Sequence, residues 1–242
     1  QTPEALWFAT EAGVSRFDGA AWQAYGVSDG LPGGPIIALV ADGEAVWAGN
    51  ENGVARLEGE TWKQVSAAPV ERLAVVPGQP PWAWGGGRLY RLGDAEPGAA
   101  LPLPTAVRAL AATGGAAWLA TADGVLRYDG DWSVYTTDDG LPTTDVTAIT
   151  VAAGQVWAAA SGDSGPIELV QFDGARWQPH PSRDPAAEQL TDNIVRGVAI
   201  APDGDVWLAT PAGINRQRDG HWLDYTVAAG LPGDDVRGVA WT

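Results

Sequence analysis

One pattern recurs six times along this chain and limits what it can fold into more than any other feature. The stretches "LWFATEAGVSRFDGAAWQAY" (6–25), "VWAGNENGVARLEGETWKQV" (46–65), "AWLATADGVLRYDGDWSVY" (117–135) and "VWLATPAGINRQRDGHWLDY" (206–225) share one order of features. Each has an aliphatic–Trp pair, small residues, a Gly turn, a short alternating run, an acidic-Gly turn and a second Trp. Two further copies are degraded, "PWAWGGGRLYRLGD" (81–94) and "VWAAASGDSGPIELVQFDGARWQPH" (156–180). The leading anchors Trp7, Trp47, Trp82, Trp118, Trp157 and Trp207 are spaced 40, 35, 36, 39 and 50 residues apart. Self-similarity at such a period marks a repeat architecture.

Each copy reads as strands. Runs such as "GVSRFDG" alternate in polarity and end in Gly or Asp-Gly turns, and no window sustains a helical period with caps. Between copies lies one more short apolar strand: "IIALVA" (36–41), "VERLAVV" (70–76), "VRALAAT" (107–113), "VTAITVA" (146–152), "VRGVAIA" (195–201) and "VRGVAWT" (236–242). Four strands per about 40 residues is the propeller signature. The expectation is an all-β, six-bladed β-propeller of four-stranded antiparallel blades, one domain over 1–242. The first copy lacks a preceding apolar strand and the last such strand has no copy after it. The ring is therefore expected to close with 236–242 joining the three N-terminal strands, which would leave no open sheet edge there.

Composition narrows the function. The 32 Gly and 13 Trp fit many turns and repeated large anchors. With no Cys, disulfides, thiol catalysis and Cys-ligated metals are excluded. The formal charge of −16, with Lys63 the sole lysine, argues against nucleic acid and anionic membrane surfaces as partners. No apolar run approaches the roughly 20 residues of a membrane helix, so no membrane insertion is expected. A chain that begins at Gln1 reads as a processed mature form or an excised domain.

The runs "LWFATEAGVSRFDGAAWQAYGVSDGLP" and "AWLATADGVLRYDGDWSVYTTDDGLPTTDVTAI" resemble the two-component regulator propeller repeat, with "DGLP" at 29–32 and 139–142 and "AGLP" at 229–232. The resemblance covers essentially the whole chain. It implies a propeller of the kind found in periplasmic sensor halves of hybrid histidine kinases and in secreted proteins. An extracellular or periplasmic location follows from it, as does a glycan or other small ligand.

Several residues fall outside the repeat's structural needs. Eleven of the tryptophans fill two repeat slots, the second holding Trp22, Trp62, Trp132, Trp177 and Trp222, and are expected to pack between blades. Trp84 stands where other blades carry Ala or Gly, so it is the aromatic expected to be free for a ligand. Arg16, Arg56, Arg91, Arg127 and Arg216 share a third-strand slot that reads as a solvated or neighbour-paired face. Arg108, Arg196 and Arg237 each follow the first Val of an innermost strand, where other blades carry Ile37, Glu71 and Thr147. Asp145, Asn193 and Asp235 sit just before such strands. These groups either bridge neighbouring blades as Arg–Asp pairs or form a polar funnel at the channel mouth.

The repeat breaks at one blade. Trp157 to Leu169 is 12 residues where most blades have 7, and Trp177 to Val195 is 18 where 14 is common. Both insertions enlarge one face, and rigid scaffolds carry function on such loops. They hold Asp163, Ser164, His180, Arg183, Asp184, Glu188 and Asp192. Catalysis has little to build on. His180 and His221 are the only histidines, no nucleophile elbow appears, and no complete calcium loop appears. No cofactor or metal is expected. The reading is a non-catalytic, sensor-like propeller that binds a glycan or small polar ligand. The alternatives are a propeller whose partner is a protein and, behind it, a lyase or hydrolase.

Overall fold

A computed structural model describes residues 6–18, 20–42, 45–93, 98–160, 168–179, 195–201, 203–218, 221–231, 233–236 and 239. The described chain is all-β, with short 3-10 turns and no α-helix. Its antiparallel sheets are the blades of a six-bladed β-propeller.

Two compact units, Gln1–Leu103 and Pro104–Thr242, hold three blades each. In the first unit, blade one is β1 (Leu6–Thr10), β2 (Gly13–Phe17) and β3 (Trp22–Tyr25). Blade two is β4 (Ala38–Ala41), β5 (Val46–Asn50), β6 (Gly53–Glu58) and β7 (Thr61–Ser66). Blade three is β8 (Arg72–Ala74), β9 (Trp82–Gly85), β10 (Arg88–Arg91) and the short β11 (Ala99–Ala100).

In the second unit, blade four is β12 (Val107–Ala112), β13 (Ala117–Thr121), β14 (Gly124–Tyr128) and β15 (Trp132–Tyr135). Blade five is β16 (Val146–Ala152), β17 (Gln155–Ala160), β18 (Glu168–Phe172) and β19 (Trp177–Pro179). Blade six is β20 (Gly197–Ile200), β21 (Val206–Thr210), β22 (Gly213–Arg218) and β23 (His221–Tyr225). Arg237, Gly238, Ala240, Trp241 and Thr242 of the expected closing strand lie outside the described residues.

In blades two and four the second strand is buried on both faces, which is why it reads as small residues around one Trp. All five residues of β5 and of β13 are buried. Successive blades are stitched by backbone bonds at the start of the innermost strand. The Ile36 amide donates to the Thr10 carbonyl at 3.1 Å, Val70 to Asn50 at 2.9 Å and Val236 to Thr210 at 3.0 Å. At these three junctions the repeat's first aliphatic therefore docks on the second strand of the repeat before it.

The Gly-Leu-Pro loops make the same junctions from the other side. Asp139 accepts a hydrogen bond from the Thr136 amide at 2.9 Å and closes a 3-10 turn over Thr137–Asp139. Gly140 ends that turn at φ +97°, and Leu141 is buried among Trp118, Val146 and Trp177. Gly30 and Leu31 do the same between blades one and two, against Trp62. The signature is architectural: an acidic cap, a left-handed glycine and a leucine plug.

Candidate functional site

Antiparallel pairing brings the turn between second and third strands, and the link into the next blade, to the same end of each blade. The sequence's candidate arginines begin their innermost strands at that end. In the second unit, Arg108 of β12 forms an ion pair with Asp145, which precedes β16 of the next blade. Arg196, just before β20, repeats the arrangement with Asp235. Of the two readings open in the sequence, Arg–Asp bridging of neighbouring blades is the arrangement present. The pairs are not sealed off. Side-chain exposure is 36% and 33% in the first pair and 35% and 52% in the second. Between them, the matching position on β16 is Thr147, whose hydroxyl donates to the Ala159 carbonyl at 3.3 Å.

Asn193 and Arg237, the remaining members of the set, lie outside the described residues. So do Asp163, His180, Arg183 and Asp192 of the two insertions, which fall on 161–167 and 180–194. The frame around the first insertion is described. Ala160 pairs with Glu168 and Ala159 with Leu169, so the extra residues leave the blade's register intact.

Trp84 corrects an expectation. It is 6% exposed, in a β9 whose residues are all buried, and it pairs with Arg72 and Leu89. The second strand of blade three packs against its neighbours along its whole length, so the larger side chain there is core and not a free aromatic. The second-slot tryptophans also differ among themselves. Trp62 and Trp177 are buried at 4% and 1%, whereas Trp22 is 63% exposed and meets Phe8 and Phe17 of its own sheet.

The third-strand arginines have a role that the sequence reading missed. Each lies directly across the ladder from the leading Trp of its blade and stacks over that indole, with the guanidinium carbon 4.8–5.7 Å from the ring centroid in five blades. The signal was present as a fixed Trp-to-Arg spacing across a hairpin. In blade six the stack extends into a charged network. Arg216 donates through Nε to Asp205 at 2.7 Å, and Arg218 reaches Asp205 and Asp203, both at 3.1 Å. Hydrogen bonds to Tyr225 and Asp205 push the Arg216 guanidinium further up from its ordinary value.

A cavity of about 470 Å³ in the first unit is lined by Val65, Pro69, Arg88, Tyr90 and Leu92 among others. It lies along β10, beside Gly93 and Gly98. Tyr90 fills part of this space and donates its hydroxyl to the Pro69 carbonyl at 2.9 Å, and burial pushes its phenol up to about 12. Among the described residues no cluster of three or more His, Asp or Glu could hold a metal ion. No described helix is long and apolar enough to cross a membrane.

No protein-family model matches the chain, and no curated protein matches it. Solved structures do share the fold. The extracellular domain of the putative hybrid two component system BT4673 from B. thetaiotaomicron matches 98% of this chain at a TM-score of 0.71 and 16% identity. That of BT3049 from the same organism matches 96% at a TM-score of 0.59 and 16% identity. The chain spans only 34% and 40% of those two chains. The WD40 beta propeller domain of Doa1 matches 97% at a TM-score of 0.65 and 12% identity, over 82% of its length. Two of these three likenesses are to extracellular domains of two-component systems, in agreement with the resemblance carried by the repeats.

Proposed function

We propose that this propeller is a non-catalytic, sensor-like recognition module acting outside the cytoplasm, extracellular or periplasmic. It holds a glycan or small polar ligand where the innermost strands of blades four to six begin, the expected channel mouth. The observation that carries this reading is the repeated, half-exposed Arg–Asp pair, Arg108–Asp145 and Arg196–Asp235. Planar guanidinium donors and carboxylate acceptors on a rigid strand framework suit a ligand rich in hydroxyls. The extracellular sensor domains that share the fold support both the location and the role. The test is a thermal-shift screen of the intact protein with glycans, other polar small molecules and divalent ions. At least one saccharide is expected to raise the melting temperature, and Arg196→Ala to abolish that shift.

Recognition of a protein is the competing reading. A screen in which no small ligand shifts the melt would favour it.

A further inference from the structure

We infer that the site on blades four to six takes an uncharged, hydroxyl-rich ligand, a neutral glycan, and turns acidic glycans away; this rests on the function proposed above. The charge arrangement carries the inference. Among the described residues, each exposed arginine there faces a carboxylate, Asp145 for Arg108 and Asp235 for Arg196. The intervening position on β16 is the uncharged Thr147. Strands β12, β16 and β20 lie side by side in that order, so the described residues of the row present two Arg–Asp ion pairs and a hydroxyl.

The surroundings lean against anions as well. Asp123, in the turn between β13 and β14, and Asp234, beside Asp235, are exposed at the same end. The whole chain carries −16. An incoming carboxylate would approach each arginine beside the carboxylate of Asp145 or Asp235 and within a negative field, and like charges brought together at a binding site oppose association. A sugar hydroxyl meets no such barrier. It donates to a carboxylate and accepts from a guanidinium while the pair stays intact. Two arginines at a binding site ordinarily suggest an anionic ligand; here the paired aspartates reverse that reading.

Calorimetric titration of the intact protein tests this, with neutral oligosaccharides and matched uronic-acid oligosaccharides as probes at low and high salt. A neutral probe is expected to bind with an affinity that salt leaves unchanged, and its acidic counterpart to bind at least about tenfold more weakly. The double substitution Asp145→Asn and Asp235→Asn leaves both guanidiniums uncompensated and is expected to raise affinity for the acidic probe. Should the variant melt below the assay temperature, the salt dependence of the wild-type protein decides alone. Tighter binding of the acidic probe, weakening as salt rises, overturns the inference while leaving a recognition role in place. Unchanged discrimination in a folded double variant overturns it too. Binding of neither probe set also overturns it, and the proposed function then stands or falls on the wider thermal-shift screen.

Discussion

Arg216 and Trp207 face each other across the β21–β22 ladder, with the guanidinium carbon 4.8 Å from the indole centroid. This pairing serves two neighbours at once, because the same guanidinium donates to Asp205, whose side chain is only 8% exposed. Arg127 makes the equivalent stack on Trp118 at 5.5 Å, but its carboxylate partner Asp129 is 36% exposed. Arg127→Ala is expected to cost about 0.5–1 kcal/mol, the value of a surface stack and a screened ion pair. Arg216→Ala is expected to cost more, since it leaves the buried Asp205 carboxylate with only the longer contact to Arg218. Urea midpoints of the two variants check the order, and equal midpoints would refute the coupling.

The Gly-Leu-Pro loops yield a sharper contrast. A Cβ on Gly140 would lie 2.1 Å from the Trp177 carbonyl oxygen, at a φ of +97° that L side chains seldom adopt. Neither backbone has a flexible end that could yield. Gly140→Ala is expected to destabilise by on the order of 2–3 kcal/mol, combining strain with a steric clash. Gly174, in the turn between β18 and β19, has φ +105° and nothing within 4 Å of the Cβ position. Its Ala variant should show the strain alone, about 1 kcal/mol. Thermal melts of both variants measure the difference.

Much of this architecture was legible in the sequence because the repeat averages over local ambiguity. Strand alternation and Asp-Gly turns recur in register, so even the insertion after Ala160 could be placed between Trp157 and Leu169. What misled was reasoning about single positions. Trp84 looked free because other blades carry Ala or Gly at its slot, yet Ala120, Ala159 and Ala209 at that slot are 0% exposed. The slot is small because it is buried, not because it is open. Pairing partners were less legible. Arg108 and Asp145 lie 37 residues apart in sequence, and only the blade-to-blade stagger brings them together. The residues of 161–167 and 180–194 carry no repeat pattern for the eye to follow.

The second-slot tryptophans should divide by surroundings, not by type. Trp177 is 1% exposed, edge-on to Trp118 at 6.1 Å and beside Phe172 at 5.3 Å, within a cluster that joins blades four and five. Trp177→Ala is expected to cost about 3–5 kcal/mol through lost burial and the cavity left behind. Trp222→Ala, whose side chain is only partly buried against Ala159, Val198 and Leu208, is expected to cost less, about 1–3 kcal/mol. Denaturant unfolding distinguishes the two. A similar loss at both would mean that partial burial costs Trp222 nothing.

Tyr90 offers a test through pH. Burial raises its phenol to about 12, from an ordinary value near 10. In the folded protein the proton is therefore held after the unfolded chain has released it. Where the unfolded state binds fewer protons, stability falls as pH rises. The contribution is complete below about pH 10 and is lost progressively as pH climbs towards about 12. Tyr90 should accordingly titrate late in the ultraviolet phenolate band, with Tyr25, whose phenol burial also raises, and the urea midpoint should fall across the same interval. Tyr90→Phe removes one late-titrating group and lessens that fall. It also gives up the bond to the Pro69 carbonyl, at a cost of about 1 kcal/mol at neutral pH. If the variant keeps the late phenolate signal and the alkaline loss undiminished, Tyr90 is not among the phenols responsible.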